Sequence, residues 1–182
     1  KMFTVFSFAA LITACSESAN LTELDKSAVL KAEDLTLWIE GFVPDPTKES
    51  LVKTKDFDDS YDIEYTYEDK EGKTPLYLYH SVSVQPKASD AVIVHKAMGL
   101  GTWIGSGETK LVTRNDLFSW GDESEFSLWQ TESGDVFGNY FSGRKGKKVV
   151  LIVISGIYFD ESEAVEELLK KTFEAVERLP DP

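Results

Sequence analysis

Few residues of this 182-residue chain are of a type that does chemistry: there are 2 histidines, 1 cysteine, a glycine-dense segment and an aspartate-dense one. An imidazole base can come only from His80 or His95. His80 stands in a stretch that alternates with tyrosines, and His95 stands inside an apolar run, so both read as hydrogen-bonded structural histidines. The glycine-dense segment is Gly99-Leu100-Gly101-Thr102-Trp103-Ile104-Gly105-Ser106-Gly107. A dinucleotide fingerprint needs G-x-G-x-x-G opening a helix after a strand, so that backbone amides meet the pyrophosphate. Here the glycines follow a helical pattern, and Ile104 takes the place of the third glycine. A nucleophile elbow needs glycines two positions away on either side of the serine, whereas Gly105 and Gly107 flank Ser106 directly. The segment is expected to end a helix and to let Trp103 fold back onto the core. The acidic run holds Asp56, Asp58, Asp59, Asp62 and Glu64. Oxygen ligands at this spacing suit a hard cation, but the glycine and the final glutamate of a calcium loop are missing, so a solvated loop is expected. With two separated histidines a zinc site is not expected either. This reading leaves no metal, no cofactor and no catalytic residue, and the expectation is a protein that is not an enzyme.

Charge narrows the partners. The formal net charge is -13, from 19 Lys+Arg against 32 Asp+Glu. That balance repels phosphate backbones, so nucleic acid is disfavoured; it is expected to make a solvated acidic surface, with a basic or cationic partner as the alternative. The single basic run, Arg144-Lys145-Gly146-Lys147-Lys148, is expected to solubilise a hairpin tip.

The lone Cys15 rules out an intramolecular disulfide and finds its explanation in its surroundings. Residues 2–12 are almost unbroken apolar chain, too short to span a bilayer as a finished helix and matching the core of a secretory signal. They end in Leu11-Ile12-Thr13-Ala14-Cys15, which resembles the lipobox of bacterial lipoproteins. Lys1 ahead of Met2 leaves little of the basic region that such signals carry. The resemblance implies a signal peptide over residues 1–14, a diacylglycerol and a palmitate-type acyl chain on Cys15, and a cell-envelope location. Ser16 in place of Asp implies the outer membrane where the host has two. Each buried methylene of such an anchor contributes about 0.8 kcal/mol, so two or more chains hold firmly. Residues 15–20 are then lipidated Cys and tether, and residues 21–182 a single domain.

Hydrophobic residues at 42% describe a chain with a core to bury. Leu35, Trp38, Ile39 and Phe42 recur at helical spacing, ended by Gly41 and Pro44. Residues 61–68 and 76–84 alternate with a period of two and predict a hairpin. Residues 91–100 predict a buried helix broken by Gly99 and Gly101. Strands follow over 110–114, 126–130 and 136–142, and the β-branched run 148–155 predicts a strand covered on both faces. Asp160 with Glu163 predicts a capped start for a long C-terminal amphipathic helix, closed by Pro180. The class is α+β, an antiparallel sheet with helices packed on it. This order of elements resembles the PsbP-like sandwich of exported lipoproteins.

The tyrosines of the hairpin are too many for one face. Tyr65, Tyr67, Tyr77 and Tyr79, with Trp103, are the candidate surface for a protein partner or a flat ligand. The expected function is a non-enzymatic envelope binding module. The alternative is a carrier or sensor for a small apolar or aromatic ligand held between the sheet and the helix near Trp103.

Overall fold

Strict alternation over 61–69 and 76–84 produces the hairpin expected. In the computed structural model Tyr61, Ile63, Tyr65 and Tyr67 are buried on one face of their strand while Asp62, Glu64, Thr66 and Glu68 lie half-buried on the other. The structure describes residues 17–56, 58–72, 75–105 and 109–182, with backbone alone for Glu17 and for residues 100–105.

The elements run β1 (Glu17–Ser18), α1 (Glu23–Ser27), 3-10 turns at Ala32–Leu37 and Pro46–Lys48, β2 (Glu49–Lys55), β3 (Tyr61–Asp69), β4 (Leu76–Val84) and α2 (Ala88–Gly105). Then come β5 (Thr109–Thr113), β6 (Glu123–Thr131), β7 (Val136–Lys145), β8 (Lys148–Ser155) and α3 (Ser162–Arg178). They form an α+β fold around one antiparallel sheet in the order β1-β2-β3-β4-β8-β7-β6-β5. Two meanders, β1 to β4 and β5 to β8, therefore meet at the β4–β8 pair, and α2 carries the chain from the middle of the sheet to its far edge. Two residues, Gly146 and Lys147, join β7 to β8. The turn needs a positive φ, and Gly146 supplies it at 58°.

The inner face is closed by α3 and by the segment that follows α1. In α3, Val165, Leu168, Leu169, Thr172, Phe173 and Val176 form the buried stripe. Phe173 is its centre, with ring centroids 4.9 Å from Trp120, 5.2 Å from Phe118 and 5.3 Å from Phe141. The other face receives α2, which packs against β7 and β8. This explains β8: Val150, Ile152 and Ile154 are buried on the α3 side, while Leu151 and Val153 are half-buried on the α2 side.

Four expectations are corrected. Leu35 to Phe42 is not an α-helix but a 3-10 turn followed by bends. Leu35 and Ile39 do reach the core, and Gly41 at φ 69° ends the stretch. The helix over 91–100 does not stop at its glycines but runs from Ala88 to Gly105. Glycine costs a helix about 1 kcal/mol against alanine, which apolar contact with the sheet offsets. The start of α3 is not the expected capping box, for Glu161 is the N-cap and its side chain makes no capping bond. Part of the expected tether is strand, because Glu17 and Ser18 pair with Lys55 and Thr54.

Candidate functional site

The register of β3 with β4 decides which tyrosine goes where. Tyr65 faces His80 and Tyr67 faces Leu78 on the inner side, whereas Tyr77 and Tyr79 lie opposite Glu68 and Thr66 on the outer side. Tyr65 and Tyr67, expected at a partner surface, are buried at 1% and 0% exposure and cannot serve there. Their hydroxyls explain why the fold tolerates them inside. Tyr65 Oη accepts from Ala32 N at 3.0 Å and donates to Glu49 Oε2 at 2.8 Å; Tyr67 Oη accepts from Asp45 N at 3.3 Å. Tyr61 donates to the Pro180 carbonyl at 2.6 Å. These three hydroxyls rivet chain segments to the edge of the core, satisfying backbone groups that burial would otherwise strand.

Tyr77 and Tyr79 remain on the outer face, half-buried. Tyr79 donates to Glu64 Oε1 at 2.9 Å, and burial beside Glu64 holds its phenol well above the ordinary range. Burial likewise raises the Tyr77 phenol, with Glu68 and Glu64 adding to it. Around them lie Asp62, Glu64 and Glu68 from β3, and Ser50, Val52 and Thr54 from β2. Val52 is 43% exposed. Glu68 pairs with Lys70 at 2.8 Å, but Asp62 and Glu64 hold no ion pair among the described residues. Burial raises the Asp62 carboxyl above the usual range, and a hydrogen bond with Ser83 opposes that rise. The outer face of β2 to β4 is therefore an acidic shelf carrying two tyrosines, lying beside the strands that α2 covers. Trp103 belongs to α2 by its backbone, while its side chain and Cys15 lie outside the described residues.

The other candidates take structural places. His80 is fully buried at the centre of the inner face, where Nδ1 accepts from Leu30 N at 2.7 Å. The ring proton must then sit on Nε2, which has no partner among the described residues, and burial pushes the pKa down to about 3. His95 lies on the buried side of α2 with Nδ1 3.8 Å from Glu123 Oε2; burial lowers its pKa against the pull of that carboxylate. In the aspartate loop, Asp58 Oδ1 accepts from both Ser60 N (3.0 Å) and Ser60 Oγ (2.6 Å), bonds that lower its pKa. The basic run lies at the β7–β8 turn among carboxylates. Arg144 meets Asp122 at 2.9 Å, Lys145 meets Glu177 at 2.6 Å and Lys147 meets Asp181 at 3.1 Å.

Between the sheet and α3, Phe126, Phe141, Ile154, Phe159 and Leu168 line an apolar void of about 10 Å³, which is no larger than one water. No helix among the described residues is long and apolar enough to cross a membrane. No family model, curated protein or solved structure matches this chain.

Proposed function

We propose that the chain is a cell-envelope lipoprotein whose domain is a non-enzymatic binding module, receiving a basic polypeptide on the outer face of β2 to β4. The observation that carries this reading is the acidic shelf. Asp62 and Glu64 stand without ion-pair partners among the described residues, beside two half-buried tyrosines and an exposed Val52. A lysine or arginine side chain laid there gains carboxylate contacts and the ring face of Tyr77 or Tyr79 together. The net charge of -13 adds long-range attraction for such a partner. The lipobox-like Leu11-Ile12-Thr13-Ala14-Cys15 supports the anchor and the envelope location. The element order supports a PsbP-like sandwich, and nothing catalytic is attached to that likeness.

The test is nuclear magnetic resonance of residues 16–182 titrated with a lysine- and arginine-rich peptide. Shifts confined to residues 50–54, 62–68 and 77–81, weakened by salt and removed by Asp62→Asn with Glu64→Gln, are the expected result. Shifts scattered over the surface, or unchanged in the double variant, refute the shelf. Cys15→Ala should move the protein out of the membrane fraction; retention there refutes the anchor.

A further inference from the structure

The acidic shelf ends at a sheet edge that is only partly closed. β1 covers just the last part of β2: Glu17 pairs with Lys55 and Ser18 with Thr54, and Ala19 N donates to Lys53 O at 2.9 Å. Beyond Ala19 the chain leaves the edge for the inner face, where Leu21 and Leu24 pack against the core. Residues 49–52 therefore have β3 on one side and, among the described residues, no strand on the other.

The bond from Ala19 shows which backbone groups that edge offers. In an antiparallel ladder the amide and carbonyl of one residue point the same way, and those of its chain neighbours point the opposite way. Lys53 O points away from β3, so the amides and carbonyls of Leu51 and Glu49 do as well, while Ser50, Val52 and Thr54 bond to β3. Among the described residues nothing bonds to those four outward groups. Side chains alternate at the same period. Glu49 and Lys53 face inward, held by Tyr65 and Asp25, whereas Ser50 and Val52 lie on the shelf. Exposed edges are commonly guarded by a charge. Lys53 is not free for that duty, since it reaches Asp25 at 2.9 Å and lies over the Tyr61 ring at 4.4 Å. At the opposite edge of the sheet such a guard is present, with Lys110 exposed on β5.

We infer that the partner enters as an extended basic segment, added antiparallel to β2 along residues 49–52, with lysine or arginine at alternate positions. The inference rests on the acidic-shelf reading and gives its partner a backbone conformation and a register. Partner residues level with Ser50 and Val52 point to the shelf; the residue between them, level with the half-buried Leu51, points inward and is apolar. Val52 is level with Glu64, so a basic residue there stands two strand spacings, about 10 Å, from Glu64 at the backbone. The two side chains close that gap across Val52, and the short Ser50 leaves the neighbouring lane open. A second copy of the chain fits worse. β2 paired with itself about a twofold axis sets two acidic shelves side by side, in chains of net charge -13.

The experiment measures binding of a blocked heptapeptide of alternating lysine and valine to the full chain, beside versions N-methylated at every valine or at every lysine. All three carry the same charge. In the added strand the valine amides donate to the Leu51 and Glu49 carbonyls, and the lysine amides face solvent. Valine methylation should weaken binding about tenfold or more and lysine methylation less than about threefold. The bound unmethylated peptide should slow hydrogen exchange of the Glu49 and Leu51 amides about tenfold or more. Equal affinities of the three peptides, loss on lysine methylation instead, or unchanged exchange overturns the added strand. If the unmethylated peptide does not bind, or binds Asp62→Asn with Glu64→Gln equally well, the shelf itself falls and the strand with it. Exchange at Glu49 and Leu51 that slows with protein concentration, no peptide being present, makes a second copy the occupant and overturns the assignment.

Discussion

His80 makes stability depend on pH in a way the structure allows to be worked out. Its imidazole is fully buried, neutral, and bonded through Nδ1 to Leu30 N, with a pKa pushed from 6.5 down to about 3. The unfolded chain takes up a proton near pH 6.5 and the folded chain does not, so unfolding is favoured as pH falls through that value. The contribution is nearly absent at pH 7, grows to about 2 kcal/mol at pH 5 and approaches about 5 kcal/mol near pH 3, at about 1.4 kcal/mol per unit. Carboxylates titrate over part of the same range, so a reference is needed. In His80→Asn the side-chain oxygen is as many bonds from the backbone as Nδ1, so it can accept from Leu30 N without titrating. Urea unfolding at pH 7 and pH 5 should show the original protein losing about 2 kcal/mol more than the variant, a midpoint difference of about 1 M. Carboxylate effects common to both proteins cancel in that comparison. Parallel losses, within about 0.5 kcal/mol, would refute the account of a buried neutral imidazole.

Two substitutions test the inner face by urea unfolding. Phe173→Ala empties the position that Phe118, Trp120 and Phe141 surround and should cost about 3–5 kcal/mol; a loss below about 1 kcal/mol would mean that α3 does not close the core. Tyr65→Phe removes the acceptor of Ala32 N and leaves that buried donor unpaired, so about 1–3 kcal/mol should be lost, with unaltered capture of a basic peptide on the outer face. A neutral Tyr65→Phe, or one that abolishes peptide capture, would contradict the assignment of this tyrosine to the interior.

Legibility in the sequence followed how strongly each segment was patterned. The hairpin of β3 and β4, the strand β8 and the amphipathic α3 were readable because their apolar residues repeat at the period of the element that buries them. β2 was not readable, since Glu49, Lys53 and Lys55 share one face and Ser50 and Thr54 the other; pairing with β3, not amphipathicity, makes it a strand. The 3-10 turn at Ala32–Leu37 mimics helical spacing, but Tyr65 and His80 fix its backbone through bonds to Ala32 N and Leu30 N that no local pattern reveals. The tyrosines were legible as a group and not one by one. Alternation says that Tyr65 and Tyr67 share a face and that Tyr77 and Tyr79 share one, yet which face is inside depends on β4–β8 pairing and on where α3 lies.

That dependence ties fold to function. In β3 the positions facing inward are Tyr61, Ile63, Tyr65 and Tyr67, and the positions between them are Asp62, Glu64, Thr66 and Glu68. A slip of one residue against β4 would bury the carboxylates under α3 and expose the tyrosines, which is costly on both counts. The hydroxyl bonds of Tyr61, Tyr65 and Tyr67 to Pro180, Ala32 and Asp45 therefore guard the register that keeps the acidic shelf outward. β2 lies on the other side of this strand, with Val52 on the shelf and Lys53 turned inward to Asp25. Shelf and inward ion pair share one strand but use opposite faces of it. Charge removal at Asp62 and Glu64 should then abolish capture of a basic peptide, while Ala19→Pro, which deletes the donor to Lys53 O, should leave that capture unchanged.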